Sequence, residues 1–217
     1  MLFRSGTALL GGLLIWLAVH LAGKYIRRFS TEIKDLLFLA VVLMILLVLT
    51  KLSVGVADAI HSAFPFISQA AIFYMLPMAA GAMLVTIFFG PIIAIIFAFF
   101  LALLAALVLD HQINLLFYYL IGSLVGVQGV VVCRDRSTPL RAGLTVGLTN
   151  AVVILFVTIA YQKVFTTQTG VALLLGIVGG LFSGVVTTGL GPVAEMVFGY
   201  TTDVKLLELA RDRKSVV

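Results

Sequence analysis

Long apolar runs alternate with short polar breaks along most of this chain. An α-helix needs roughly 20 apolar residues to cross a bilayer core of about 30 Å. Seven such runs can be placed, at 7–26, 36–57, 70–89, 91–109, 114–133, 141–161 and 171–191. The clearest breaks are Arg27 to Asp35, between the first two runs, and Arg134 to Pro139, between the fifth and sixth. The least obvious is Gly90-Pro91, inside an apolar stretch from Ile72 to Leu109 that is too long for one span. Gly-Pro interrupts a helix and Pro91 suits the first turn of the next, so a tight hairpin is expected there. Pro77 lies within the third run and frees a backbone carbonyl. A static kink is the favoured reading and a hinge the alternative. The predicted fold is an all-α, polytopic membrane helix bundle of seven spans. Residues 1–192 form its transmembrane domain, and 193–217 form an interfacial elbow and the start of a cytoplasmic connector helix.

Composition supports this. Hydrophobic residues make up 62% of the 217 and charged ones 11%, with a mean hydropathy of +1.23. A soluble domain carries about 25% charged residues, so lipid must cover what this chain cannot. Little length remains for a second folded domain. Arg4 before an apolar run superficially resembles a signal peptide, but Thr7 to Tyr25 is long enough to span and shows no small-residue cleavage site.

The net charge of +5 is a topology signal and does not point to nucleic acid. With the N-terminus outside, the cytoplasmic side receives Lys24, Arg27, Arg28, Lys34, Arg134, Arg136, Arg141, Lys205, Arg211, Arg213 and Lys214. The outside keeps Arg4, Lys51 and Lys163. The positive-inside rule therefore places the N-terminus outside and the C-terminus in the cytoplasm. Lys51 is expected near the outer end of its helix, where it can snorkel to the interface.

Glycines recur one turn apart at Gly122 and Gly126 (with Gly129 near the same face), at Gly143 and Gly147, and at Gly176, Gly180 and Gly184. Such stripes let helix backbones approach closely in lipid. Packing within the bundle is the plainer reading, and a homodimer face is the other. No sequence repeat of 20–50 residues supports an inverted-repeat transporter.

Catalytic patterns are absent. His20, His61 and His111 fall in different segments, and the single Cys133 excludes an internal disulfide and a cysteine-rich metal site. No phosphate loop or nucleophile elbow occurs. Asp58, His61, Asp110 and His111 fall near outer helix ends, and no ionisable side chain is expected at mid-bilayer. Asp110-His111 reads as a solvated loop, with an external ligand contact or pH sensor as the alternative. No catalytic, cofactor or metal site is assigned to this chain.

The stretch after the last run is the most informative. Pro192 lacks an N–H and disfavours helix in the residue before it, so the last span is expected to end there. Val193 to Tyr200 is apolar except for Glu195, and Thr202 or Asp203 can cap a new helix beginning near Lys205. The run Pro192, Glu195, Phe198, Gly199, Thr202, Asp203, Leu206, Leu207, Glu208, Leu209 resembles the junction of the seven-transmembrane HD-domain receptors. Supporting likenesses are Leu76-Pro77 through Ala82-Met83-Leu84 in the third span, then Tyr119, Gly122, Gly126, the Arg134 and Arg136 loop, Gly143, Gly147 and Asn150.

That resemblance implies a bacterial cytoplasmic-membrane module that anchors a cytoplasmic HD phosphohydrolase and relays signals to it. In the family this enzyme hydrolyses cyclic di-AMP with two metals, and an external domain senses signals. Here nothing precedes Leu9 that could be an external domain, and no HD domain follows Leu209. Asp110-His111 reverses the family's His-Asp pair. The expectation is a truncated gene, a designed fragment or an assembly edge, without enzyme activity of its own and with Pro192, Glu195, Phe198, Thr202, Asp203, Leu207 and Glu208 as relay residues. The rival reading is the small-substrate binding component of a vitamin or metal transporter. It would need inward-facing polar residues, for which Thr145, Thr149, Asn150 and Thr158 are the candidates.

Overall fold

A computed structural model describes residues 33–110, 112–133, 135–160 and 166–199. The first predicted span, 7–26, and the residues from Tyr200 onward lie outside these. Among the described residues the structure is helical, without strands: α1 Ile33–Ala63, α2 Gln69–Phe73, α3 Met78–Phe89, α4 Pro91–Val108, α5 Ile113–Val130, α6 Thr138–Ala160 and α7 Thr167–Phe198. With α2 and α3 counted as one interrupted span, six segments are long and apolar enough to cross a membrane.

Two ends of the bundle are told apart by their connections. One carries the α1–α2, α4–α5 and α6–α7 links, the other the α3–α4 hairpin, the α5–α6 link and the end of α7. We name them the external and cytoplasmic ends after the Lys and Arg distribution. At the hairpin, Gly90 has φ 86° and φ-restricted Pro91 begins α4. Only glycine adopts that φ freely, so the Gly-Pro pair turns the chain within one residue. Asp110 takes a left-handed φ of 55° at the α4–α5 link, a conformation Asp tolerates better than most residues.

Span three is the most enclosed and α1 the least. Every residue from Met78 to Thr86 is buried, and α5 packs against α3, α4 and α6. The tightest pair is α6 with α7.

Three expectations need correction. The last span does not end at Pro192, since α7 runs through it to Phe198 and stops at Gly199 with a left-handed φ of 69°. The rule that a residue before proline avoids helix arises partly from a clash with that residue's Cβ. Here the residue is Gly191, which has none. Span three is not a kinked helix but a broken one, with Tyr74 to Pro77 outside both α2 and α3. Lys51 does not lie near the end of its helix, because α1 continues to Ala63. Asp58 on α1 accepts a hydrogen bond from Gln69 Nε2 at the external start of span three, at 2.8 Å. Lys51 therefore sits about two turns, ~10 Å, inside that polar level, on the exposed face of α1 beside Val48 and Leu52.

Candidate functional site

The break in span three forms because Pro77 cannot donate to the carbonyl of Phe73. The next donor is also diverted, since the Met78 N–H bonds the Leu76 carbonyl at 2.9 Å instead of reaching back to Tyr74. Two carbonyls near one another would then lack helical partners in a place without water, which costs several kcal/mol per group. Both are capped from α5. Tyr118 donates its hydroxyl to the Tyr74 carbonyl at 2.7 Å, and Tyr119 donates to the Phe73 carbonyl at 2.9 Å. Phe73 also receives the Leu76 N–H at 3.2 Å, so its carbonyl is held twice. The rings of Tyr74 and Tyr118 lie 4.7 Å apart and bury the joint.

Two further elements meet there. Beside Tyr118, whose hydroxyl donates to Tyr74, lies Asn150 of α6. Its Oδ1 is buried without a partner and lies 2.6 Å from where a Cβ on Gly122 would be. On the α7 side, a Cβ at Gly179 would run into the Tyr74 carbonyl and come within 3.0 Å of Met75 Cα. The broken span thus rests directly on the α7 backbone.

The glycine stripes have separate partners. Gly143 and Gly147 of α6 face Gly180, Gly184 and Ile177 of α7 backbone to backbone, a Cβ at Gly143 coming 2.8 Å from Gly184 Cα. Gly126 faces Met83 and Ala79 of α3, while Gly176 faces Ile154 of α6. Thr187 of α7 also reaches α3, with its hydroxyl 3.5 Å from Met83 Sδ.

At the cytoplasmic end, Pro192 and Glu195 line a small pocket with Thr188 of α7, Arg136 and Cys133 of the α5–α6 link and Phe88 of α3. Phe198 packs edge-on against Phe38 at 5.1 Å, and Phe38 does the same with Phe88 at 5.2 Å. The residues proposed for the junction that fall in the described range therefore cluster where α1 begins and α3 and α7 end. Thr202, Asp203, Leu207 and Glu208 lie outside the described residues.

Other candidates hold local structure. His61 Nδ1 donates to the Ile67 carbonyl at 2.7 Å and ties down the α1–α2 link. The hydroxyls of Thr145, Thr149 and Thr158 each donate to a carbonyl of their own helix, and Asn150 alone of the four transporter candidates is buried. Among the described residues no group of His, Cys, Asp and Glu could hold a metal. Sequence reasoning passed over Tyr118, and it read Gly179-Gly180 as helix packing without placing Gly179 against span three. An intramembrane proline is a signal that the carbonyls behind it need donors from another helix, and buried tyrosines are the obvious supply.

Residues 1–202 match the model of a family described as the 7TM receptor with intracellular HD hydrolase. Over 213 residues the chain is 28% identical to the cyclic-di-AMP phosphodiesterase PgpH of Bacillus subtilis (strain 168), covering 95% of this chain and 29% of that protein. It therefore spans less than a third of that relative's length. No solved structure matches it. A multi-pass helical membrane chain matched over nearly its whole length, it belongs to the family of 7TM receptors with an intracellular HD hydrolase.

Proposed function

We propose that this chain is the membrane-embedded sensor and anchor module of a bacterial HD-type phosphohydrolase, and that movement of α7 passes signals to the hydrolase. The reading puts the N-terminus outside and the C-terminus in the cytoplasm of a bacterial cytoplasmic-membrane protein. It makes residues 1–192 the membrane domain and 193–217 the connector, with the partner domain acting on cyclic di-AMP. The chain itself needs no cofactor and has no hydrolase activity.

One observation carries the relay reading. The α7 helix is unbroken from Thr167 to Phe198, and it bears the span-three joint at Gly179 and the junction residues Pro192 and Glu195 on one rod. At 1.5 Å per residue it is about 48 Å long, well beyond a ~30 Å bilayer core. A displacement at its external half is therefore carried rigidly past the cytoplasmic surface. An anchor needs only an apolar helix of spanning length, with no contact to a capped break.

The test uses two preparations. The purified chain is incubated with cyclic di-AMP and Mn²⁺, where chelator-sensitive turnover above a buffer control would refute the absence of activity. A fusion of this chain to an HD phosphohydrolase domain is then assayed with Glu195→Ala and with Gly180→Leu. The relay predicts an altered hydrolysis rate at equal expression. Unchanged rates in both would leave α7 as an anchor.

A further inference from the structure

The hydrogen bonds at the span-three break contain two competitions. The Tyr74 carbonyl has two donors in reach along the chain and across it. One is the Met78 N–H, which stands four residues on and now bonds Leu76, and the other is the Tyr118 hydroxyl, which holds it at 2.7 Å. The Tyr118 hydroxyl in turn has two acceptors. One is the Tyr74 carbonyl, and the other is Asn150 Oδ1, which is buried nearby without a donor. Asn150 is 5% exposed, so water does not satisfy that oxygen from the surface.

We propose that the break is a two-state joint. In the state described, Tyr118 donates to Tyr74 and the span is open. In the second, Met78 N–H returns to Tyr74 and closes a proline-kinked helix, while Tyr118 turns its O–H to Asn150 Oδ1. The exchange trades one backbone acceptor for one side-chain acceptor. It replaces the short-range Met78–Leu76 bond with a helical one and gives Asn150 Oδ1 the donor it lacks. The Leu76 carbonyl that Met78 releases is left for the Ala80 N–H four residues on, which now bonds Pro77, so the two states stay close in free energy. Tyr119 continues to hold Phe73 in both, since Pro77 offers that carbonyl nothing in either.

The joint is built to be felt by α7. Gly179 brings the α7 backbone against Tyr74 and Met75 with no side chain between, so closing the span moves the surface on which α7 rests. That this movement is a signal rests on the function proposed above, whereas the joint itself rests on the geometry.

Tyr74-Met75 is the one Tyr–Met dipeptide in the chain. Labelling the whole protein with carbonyl-13C tyrosine and 15N methionine therefore isolates a single peptide group by NMR in lipid nanodiscs. The wild type is expected to give two Tyr74 carbonyl resonances, or one broadened by exchange between them. Asn150→Leu removes the second acceptor and should leave only the Tyr118-bonded resonance. Tyr118→Phe should leave only the other. Asn150→Ala serves as the second variant if leucine disturbs the fold, judged by helical circular dichroism. A single sharp wild-type resonance unchanged by the Asn150 substitutions overturns the joint, and so do two resonances that persist in them. The HD fusion carrying Asn150→Leu tests the signal separately. If the resonances collapse as expected but the hydrolysis rate is unaltered, the joint stands and the relay falls.

Discussion

Replacing Gly180 with alanine adds a single methyl group at the tightest place in the bundle. Its Cβ would overlap the backbone nitrogen and Cα of Gly147 and lie 2.9 Å from the Gly143 carbonyl. These are backbone atoms of a helix, so no rotamer change makes room. Carbon atoms pack at about 3.5–4.0 Å, and α6 and α7 would have to part by about 1 Å or more. Parting also loosens Gly143 against Gly184 and Gly147 against Ile177, in the seam where packing must supply the attraction that water would supply elsewhere. Overpacking of this kind costs roughly 1–3 kcal/mol, at its upper end where backbone opposes backbone. Alanine recovers about 1 kcal/mol of helix propensity over glycine, leaving a net loss of about 2 kcal/mol. Gly189 lies on the same helix with nothing within 4 Å of its Cβ position, so Gly189→Ala keeps the propensity gain alone. The two variants should differ by about 3 kcal/mol, or roughly 6–12 °C in melting temperature for a chain of this size. Thermal unfolding in detergent, followed by the monodisperse peak on size-exclusion chromatography, measures the difference. Equal melting temperatures would refute the packing argument.

Three other outcomes are expected. Tyr118→Phe removes the donor that holds the Tyr74 carbonyl in the open state and leaves it only the Met78 N–H of the closed one, which should cost about 1 kcal/mol. Tyr119→Phe should cost less in the same unfolding assay, because Phe73 keeps the Leu76 N–H. On intact cells a membrane-impermeant thiol reagent should label Ser62→Cys and Gln168→Cys and should miss Ser137→Cys, all three positions being exposed at helix ends. External labelling at 137 would reverse the assigned orientation. Lys51→Leu should hold or raise the melting temperature in lipid, since a lysine near the centre of a lipid-facing helix is unfavourable by about 2.5–3.5 kcal/mol. A marked loss instead would mean that Lys51 has an anionic or aromatic partner.

The six spans among the described residues were legible because a bilayer imposes one simple demand, a contiguous apolar run, and hydropathy reports it directly. Their ends were less so. Both α1 and α7 continue past the stretch that lipid requires, and beyond it the polarity contrast that marks a boundary fades. The glycine stripes showed that helices approach closely but not which helices do so. Gly143 meets Gly184, whereas Gly122 meets an asparagine and Gly126 a methionine. Gly179 lies off the four-residue stripe and was invisible to that pattern, although it makes the closest approach to span three. Pro77 and Pro192 show why a residue type alone does not decide a backbone. At Pro77 the helix opens because two hydroxyls on α5, far along the chain, donate to the exposed carbonyls. At Pro192 the helix continues because Gly191 removes one of the two clashes that would have ended it.

In the relay proposed above, these two prolines take different parts. The first breaks a span at the point where it touches α7, in the external half, where a change of hydrogen bonding can alter shape without exposing polar backbone to lipid. The second sits in α7 at the cytoplasmic end and leaves the rod intact. If both had broken their helices, motion at Tyr74 would dissipate in a flexible segment before the junction. If neither had, the proposed joint would be missing. A relay needs one joint and one rigid arm in contact, and Gly179 is where the arm meets the joint. Beyond Glu195 the arm is steadied by the ring stack of Phe198, Phe38 and Phe88, so displacement there is shared with α1 and α3. The left-handed Gly199 then ends the helix. Alanine at Gly199 would be strained at that φ although nothing lies within 4 Å of its Cβ position.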